Sequence, residues 1–161
     1  MLKHLLSIAL IISFVSASSA ETIKSPLVGV WRVNSVSVQS NSQETFKPLG
    51  EHPHGYVVFT KGGHMALVFV TDNRLSPAAT PTDAEAASLF RTLNAFDGTY
   101  RIEGKNKFLL HVEDAWLPSW TGADQHREFK ISGRQLTVVS RAKNPNTGQD
   151  VVITVASERI E

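Results

Sequence analysis

Short apolar, β-branched stretches separated by turn residues recur along the chain after Glu21, and this pattern predicts strands rather than helices. Eight strands are expected, over residues 28–38, 55–60, 64–70, 96–103, 108–116, 125–132, 136–141 and 151–158. The glycine-containing turn at 61–63 is short enough to join two of these stretches as an antiparallel hairpin. The sequence therefore predicts an all-β, antiparallel domain whose connections are mostly short.

Residues 80–94 break this pattern and are predicted to form the single helix. Thr80 can cap its start, Pro81 suits the first helical position, and Asp83 lies in the first turn, where the helix dipole favours an acid. The predicted apolar face consists of Ala86, Leu89, Phe90 and Leu93. Such a helix needs an apolar surface to cover, and the open end of a closed barrel provides one.

The first twenty residues have the organisation of a secretory signal peptide. Lys3 precedes an apolar run over residues 5–15, and Ser18 and Ala20 stand at the −3 and −1 positions of a cut before Glu21. An uncleaved membrane anchor is the alternative, but the run is shorter than the roughly 20 residues that span a bilayer. The sequence therefore predicts a signal peptide over 1–20 and one domain over 21–161, exported to the periplasm or secreted.

Charge and cysteine content narrow the possible functions. Cleavage after Ala20 removes Lys3 and no acid, so the mature chain carries equal numbers of basic and acidic side chains. A nucleic acid or an anionic membrane surface would require a basic stripe, so neither is an expected partner. The sequence contains no cysteine, which excludes disulfides, thiol chemistry and thiolate metal sites.

Four stretches in order resemble the lipocalin-like domain family of bacteria and fungi. They are LVGVWRV at 27–33, PLGEHPHGYVVFTKGGHMAL at 48–67, FDGTYRI at 96–102 and HVEDAWLPSWTGADQHREFKISGRQLTV at 111–138. A departure is Asp97, where members often have glycine after the phenylalanine. The resemblance implies a small up-and-down β-barrel of about eight strands with a central cavity, and a first-strand tryptophan, Trp31, that plugs its closed end. It implies no single activity.

A polar cluster is expected inside the hairpin whose loop spans 117–123. Symmetric pairing about that loop would place Glu113 opposite Arg127, and His111 opposite Phe129, with all four on one face. The other face of the second strand is polar, with His126, Glu128 and Lys130, and this contrast points Arg127 inward. A buried arginine needs a partner, and Glu113 is predicted to be that partner. An inverted register would instead leave a weak surface pair.

Such a cluster within a barrel suits an apolar molecule with one oxygenated end. The predicted ligand-binding side chains therefore include His111, Glu113, Arg127 and Phe129 from the hairpin. Aromatic and apolar side chains elsewhere are predicted to form the walls, although each of them is also a common core residue. These predicted wall residues are Trp116, Trp120, Phe59, Met65 and Tyr100.

Neither a metal nor a cofactor is predicted. His52, His54 and His64 match no ligand spacing, because Pro53 forces the first two imidazoles apart. A haem on His111 lacks a supporting axial motif, and no Gly-x-Ser-x-Gly elbow indicates a hydrolase.

Three functions remain open on the sequence alone. The first is the binding of a small, mostly apolar or amphipathic molecule in the barrel lumen. The second is an isomerase or cyclase in which His111 moves a proton while Glu113 and Arg127 orient it or the substrate. The third is a filled structural barrel that acts through its surface. The volume of the lumen beside His111 distinguishes the first two from the third.

Overall fold

A computed structural model describes residues 25–40, 45–74, 80–144 and 147–161. Eight strands close into an antiparallel barrel in which each strand pairs with its neighbour in sequence and β8 pairs with β1. The strands are β1 (Gly29–Ser40), β2 (His54–Phe59), β3 (His64–Val70), β4 (Leu93–Ile102), β5 (Lys107–Ala115), β6 (Asp124–Ser132), β7 (Gln135–Lys143) and β8 (Asp150–Arg159). The predicted all-β barrel is confirmed. The predicted signal peptide lies outside the described residues.

The two ends of the barrel differ in the length of their connections. At one end the strands are joined by short turns over 60–63, 103–106 and 133–134, and β8 finishes there. We call this the closed end. At the other end, which we call the mouth, β1, β3, β5 and β7 finish and β2, β4, β6 and β8 begin. The described connecting residues there are 45–53, 71–74, 80–92, 116–123, 144 and 147–149.

Trp31 fills the closed end, as predicted. Its side chain is fully buried, and its indole Nε1 donates a hydrogen bond to the carbonyl oxygen of Leu27 at 2.7 Å. The Arg159 guanidinium stacks over the indole ring at 4.0 Å and donates to the carbonyl oxygen of Val28 at 2.6 Å. Both the ring and the cation are therefore satisfied by neighbouring groups.

An aromatic cluster occupies the lumen above Trp31. The rings of Phe59, Tyr100 and Phe108 meet edge to face, with centroids 5.1 to 6.4 Å apart. The Tyr100 hydroxyl donates to the carbonyl oxygen of Thr60 at 3.0 Å, which leaves this buried phenol satisfied. Side chains thus fill the half of the lumen nearest the closed end.

The helix, α1 (Asp83–Arg91), is present but begins later than predicted. Its N-cap is Thr82, not Thr80. The Thr82 hydroxyl accepts from the Glu85 backbone N–H, and the Glu85 carboxylate accepts from the Thr82 backbone N–H at 2.8 Å. This capping box satisfies two backbone donors at once, which is why the helix starts there. Leu93 was predicted on the helix but is the first residue of β4.

The helix contacts the rim of the mouth through Phe90. This ring lies 5.0 Å from that of Trp116, and its side chain remains 47% exposed. No residue of α1 is buried. The predicted apolar face therefore contacts the rim without becoming enclosed in the barrel.

Asp72, which follows β3, holds the segment before β2 in place. Its carboxylate accepts backbone hydrogen bonds from His52 at 3.3 Å, Glu51 at 2.8 Å and Asn73 at 2.8 Å. These bonds, that from His52 foremost, lower the pKa of the Asp72 carboxyl below its ordinary value. Gly50 has a φ of 80° and lies so close that a Cβ there would come within 2.2 Å of the carboxylate.

The Asp72 contacts predict a pH-dependent contribution to stability. Because the folded-state pKa is lowered, the stabilisation is present above the unfolded-state pKa and is lost as the pH falls through the folded-state value. We therefore expect Asp72→Ala to lower the urea midpoint at pH 7 and to matter progressively less below about pH 4. Asp114→Ala, which removes an exposed acid with no hydrogen bond to the described residues, is the control. An equal Asp72→Ala deficit at pH 7 and pH 2 would contradict this account.

Candidate functional site

A cavity of about 750 Å³ opens in the half of the lumen nearest the mouth and continues to the outer surface beside β6 and β7. The part of its wall that faces the lumen is largely aliphatic and aromatic. The inward-facing apolar side chains that line it are Val36, Val38, Leu67, Phe69, Phe96, Val151, Ile153 and Val155. The connection between β5 and β6, which contains a 3-10 turn at Pro118–Trp120, contributes Leu117, Ser119 and Trp120.

Strand β6 brings a positive charge into this cavity. Gln125, Arg127 and Phe129 alternate along its inward face, while His126 and Lys130 point to solvent. Phe129 is buried in the core, and Gln125 and Arg127 line the cavity above it. Simple strand alternation therefore fixes the direction of the Arg127 side chain.

The Arg127 guanidinium has contacts that orient it but none that neutralise it. Its Nη2 donates to the Gln125 Oε1 at 2.6 Å, and its Cζ lies 5.0 Å from the centroid of the Phe96 ring. Its Nε is buried with no hydrogen-bond partner, and no acid in the described part of the chain forms an ion pair with it. Burial lowers the pKa of Arg127 to about 10, so the group remains charged at neutral pH.

The predicted pairing of Glu113 with Arg127 is wrong. Arg127 lies opposite Phe108, and Asp124 lies opposite His111, so the register differs by five residues from symmetric pairing about 117–123. Because this number is odd, the shift places Glu113 and Arg127 on opposite faces of the sheet. The cause is the longer β5–β6 connection: beyond His111, β5 leaves its β6 ladder but continues along β4 as far as Ala115.

His111 and Glu113 consequently lie on the outer face of the barrel, where both are exposed. The His111 Nδ1 is 2.8 Å from the Asp124 Oδ1, so its contact is with another surface residue. Neither side chain lines the mouth cavity. The predicted His111–Glu113 couple facing an enclosed substrate is therefore absent from this arrangement.

The other predicted wall residues divide into three groups. Trp120 lines the cavity and packs edge-on against Phe96, with ring centroids 5.9 Å apart. Trp116 lies at the rim against Phe90 and does not line the cavity. The remaining predicted residues belong to the filled core below the cavity: Phe59, Met65, Tyr100 and Phe129.

Of the predicted site residues, only Arg127 and Trp120 line the cavity. The lining residues that were not predicted from the sequence include Gln125, Phe96 and Asn94. Gln125 precedes Arg127 by two positions on the same strand, so alternation alone could have placed it beside the guanidinium. Phe96 was assigned to a strand, but its contact with Arg127 depends on the fold of the sheet. Asn94 was predicted to end the helix, whereas it lies in β4 and lines the cavity.

Polar atoms without partners concentrate at the mouth. The buried side-chain atoms of the described residues that have no hydrogen-bond partner are Thr71 Oγ1, Asn94 Oδ1, Trp116 Nε1 and Arg127 Nε. Thr71 and Trp116 lie in connections at the mouth, Asn94 lies near the start of β4, and Arg127 lies within β6. Only Asn94 and Arg127 line the cavity. Since folded proteins satisfy nearly all buried polar groups, these two residues mark a place where a ligand can supply a polar partner.

The described residues contain no group of three or more histidine, aspartate or glutamate side chains that could hold a metal ion. In the same parts of the chain, no helix has the length and hydropathy needed to cross a membrane.

A closed eight-stranded antiparallel barrel, filled at one end and hollow at the other, defines a class of small binding barrels. The chain belongs to the lipocalin-like domain family, whose sequence profile matches residues 28–160. A comparison with curated proteins found no match. The family assignment agrees with the resemblance in the four sequence motifs, and the fold is suited to small hydrophobic ligands.

The absence of a carboxylate beside Arg127 has a measurable consequence. Breaking a buried ion pair costs about 3–5 kcal/mol, so the predicted Glu113–Arg127 pair would have made either replacement severely destabilising. We now expect Arg127→Met to unfold within about 1 kcal/mol of the parent, or to be more stable, because it removes a buried unpaired charge. Glu113→Gln, a surface change, is expected to stay within about 0.5 kcal/mol.

Urea midpoints of the two variants test this expectation. Leu110→Ala, at a fully buried position, sets the scale for real core damage at about 2–5 kcal/mol. A loss in Arg127→Met as large as that in Leu110→Ala would show that the guanidinium has a stabilising partner after all.

Proposed function

We propose that this protein binds a small, mostly apolar molecule in the mouth half of its barrel. The observation that carries the proposal is the cavity of about 750 Å³ with a largely apolar wall. Pockets for small ligands span about 300–1,000 Å³ and combine apolar walls with a few convergent polar groups. Here the polar groups include Arg127, Gln125 and Asn94.

The shape of the lumen favours binding over the filled-barrel alternative. Aromatic rings pack the closed-end half, whereas the mouth half retains room for a ligand. In a barrel that acted only through its surface, buried polar atoms without partners along a cavity would cost stability and serve no function.

No contact of His111 supports the isomerase or cyclase alternative. That alternative requires the His111 imidazole beside an enclosed substrate, whereas the imidazole lies on the outer face against Asp124. The only histidine whose residue borders the mouth cavity is His126, among those described, and its Nδ1 is 2.9 Å from the surface carboxylate of Glu103.

Export is also part of the proposal, and its support is the signal-like sequence of residues 1–20. An extracytoplasmic binding barrel would meet its ligand outside the cytoplasm. Intact-mass measurement of the protein recovered from its host should show a chain that begins at Glu21; a full-length chain that begins at Met1 would contradict cleavage.

Titration with Nile red, a neutral apolar fluorophore, tests lumen binding. We expect saturable binding with a blue-shifted emission, because the dye enters an apolar site. Ala142→Trp, which places an indole at the cavity wall, should weaken binding at least about tenfold, or about 1.4 kcal/mol. Val68→Trp places the same side chain on the exposed outer face of β3 and should leave binding unchanged.

Native mass spectrometry of protein from its own host gives an independent readout, since a resident ligand should copurify with it. Absence of both a copurified ligand and saturable dye binding would overturn the proposed function. Equal effects of Ala142→Trp and Val68→Trp would place the dye outside the lumen.

A further inference from the structure

We infer that the ligand carries a single anionic oxygen group, and that Arg127 binds it inside the barrel. This inference rests on the proposed lumen function and adds the charge of the ligand to it. The sequence alone indicated an oxygenated end beside a guanidinium already neutralised by Glu113. Because Glu113 lies on the outer face, the guanidinium keeps its charge, and the partner group must supply the opposite one.

The acids that border the cavity are already committed elsewhere. Asp124 and Glu128 lie on the outer face of β6, since they alternate with the inward-facing Gln125 and Arg127. Asp124 pairs with His111 at 2.8 Å, and Glu128 pairs with Arg141 at 3.2 Å. Neither forms a salt bridge with Arg127, so the interior of the cavity retains one uncompensated positive charge.

The contacts of Arg127 leave N–H groups of its guanidinium available to a ligand. One hydrogen bond goes to the Gln125 Oε1, and the Phe96 ring lies against the guanidinium, which together fix its position. Among the described residues, the Nη1 group has no hydrogen-bond partner, and the Nε–H, which is buried, has none either. A guanidinium presents parallel N–H groups that match the two oxygens of a carboxylate, and such charge-assisted bonds are roughly twice as strong as neutral ones. A carboxylate with an apolar body therefore fits both the charge and the walls.

Decanoate and 1-decanol form a matched pair of probes, because they share the same alkyl chain and differ in the charged end. Titration followed by tryptophan fluorescence should show decanoate binding at least about tenfold more tightly than 1-decanol. Arg127→Met should reduce this ratio to near one, chiefly by weakening the binding of decanoate. Lys130→Met removes a cation from the outer face of the same strand and should leave the ratio intact.

The outcomes separate the two levels of the proposal. Equal affinities for decanoate and 1-decanol in the parent protein would overturn the anion inference and leave lumen binding standing. An unchanged preference in Arg127→Met would also overturn it, because the anion would then be held elsewhere. Failure of both probes and of Nile red to bind would overturn the proposed function itself. The parent comparison needs no variant, so it remains decisive even if Arg127→Met fails to fold.

A second inference rests on the pairing of β6 with β7, which stops short of the mouth. Their hairpin is hydrogen-bonded from Ser132↔Gln135 to Arg127↔Ser140. Continuing the register would pair His126 with Arg141 and Gln125 with Ala142, but neither pair forms. At these positions β6 remains paired with β5, and β7 remains paired with β8. The wall therefore has a slot between β6 and β7.

The cavity extends through this slot. It is bordered by inward-facing residues of the two strands, Gln125 and Ala142, and also by outward-facing ones, His126 and Arg141. Outward-facing residues of the paired part of the hairpin, Glu128 and Val139, border it as well, so the cavity reaches the outer surface beside β6 and β7. The unpaired stretch of these two strands is the opening in the wall that connects this outer part with the lumen. The geometry points to the β6–β7 slot as the route by which the ligand enters and leaves.

A reversible crosslink tests this route, because the chain contains no cysteine and an introduced pair supplies its only thiols. In His126→Cys/Arg141→Cys, oxidation should slow decanoate association and dissociation at least about tenfold in stopped-flow fluorescence, with little change in Kd. Reduction should restore both rates. Lys130→Cys/Thr137→Cys, a formed pair lower on the same hairpin, is the control and should exchange at the parent rate when oxidised.

If the strands lie too far apart for a disulfide, a short bifunctional maleimide can join the same thiols and should slow exchange in the same way. Exchange that stays fast after either crosslink would overturn the slot and assign entry to the open mouth. That result would leave both lumen binding and the anion inference intact.

Discussion

The register of the β5–β6 hairpin decides which charges meet inside the barrel. Phe108, not a carboxylate, lies opposite Arg127, and the acids of this hairpin all point to solvent. A shift of one residue would reverse every side chain of a strand, so this register must be held firmly wherever one face is buried. Here the buried residues of β5, Phe108, Leu110 and Val112, supply that constraint. The apolar face of β5 thus secures the register and, as a consequence, isolates the charge on β6.

The barrel divides its length between stability and recognition. Toward the closed end, Trp31 and a cluster of three aromatic rings fill the lumen and bury the surface that holds a domain without disulfides together. Toward the mouth, β1 and β8 line the cavity with valine and isoleucine, and buried polar atoms have no partner among the described residues. The burial of these large aromatic side chains offsets the cost of the unsatisfied groups. Because of this separation, the side chains of the mouth half can be suited to a ligand and need not fill the lumen.

Much of the fold could be predicted from the sequence, since strand alternation and turn residues are local signals. The same alternation correctly pointed Arg127 inward and would also have identified Gln125 on the same face. The register could not be read in this way, because it depends on how many residues the β5–β6 connection uses. The 3-10 turn at Pro118–Trp120 and the continued pairing of Ala115 with Phe96 lengthen that connection. Neither feature changes the periodicity of apolar and polar side chains. The predicted partner of Arg127 was therefore wrong, although the predicted inward direction of the Arg127 side chain was correct.

Two arginines near opposite ends of the barrel show what distinguishes a structural cation from one available for binding. Arg159 lies against Trp31, and its guanidinium donates to the carbonyl oxygens of Val28 and Pro26, so its contacts serve the closed end itself. Arg127 also lies against an aromatic ring, but among the described residues it has only an amide oxygen as acceptor, and one buried N–H has no partner there. An aromatic ring and a neutral amide can position a guanidinium without cancelling its charge. A desolvated cation kept in that state interacts more strongly with an incoming anion than one in water, because the low local dielectric weakens screening. The same desolvation that makes Arg127 costly for folding therefore makes it selective for a ligand of opposite charge.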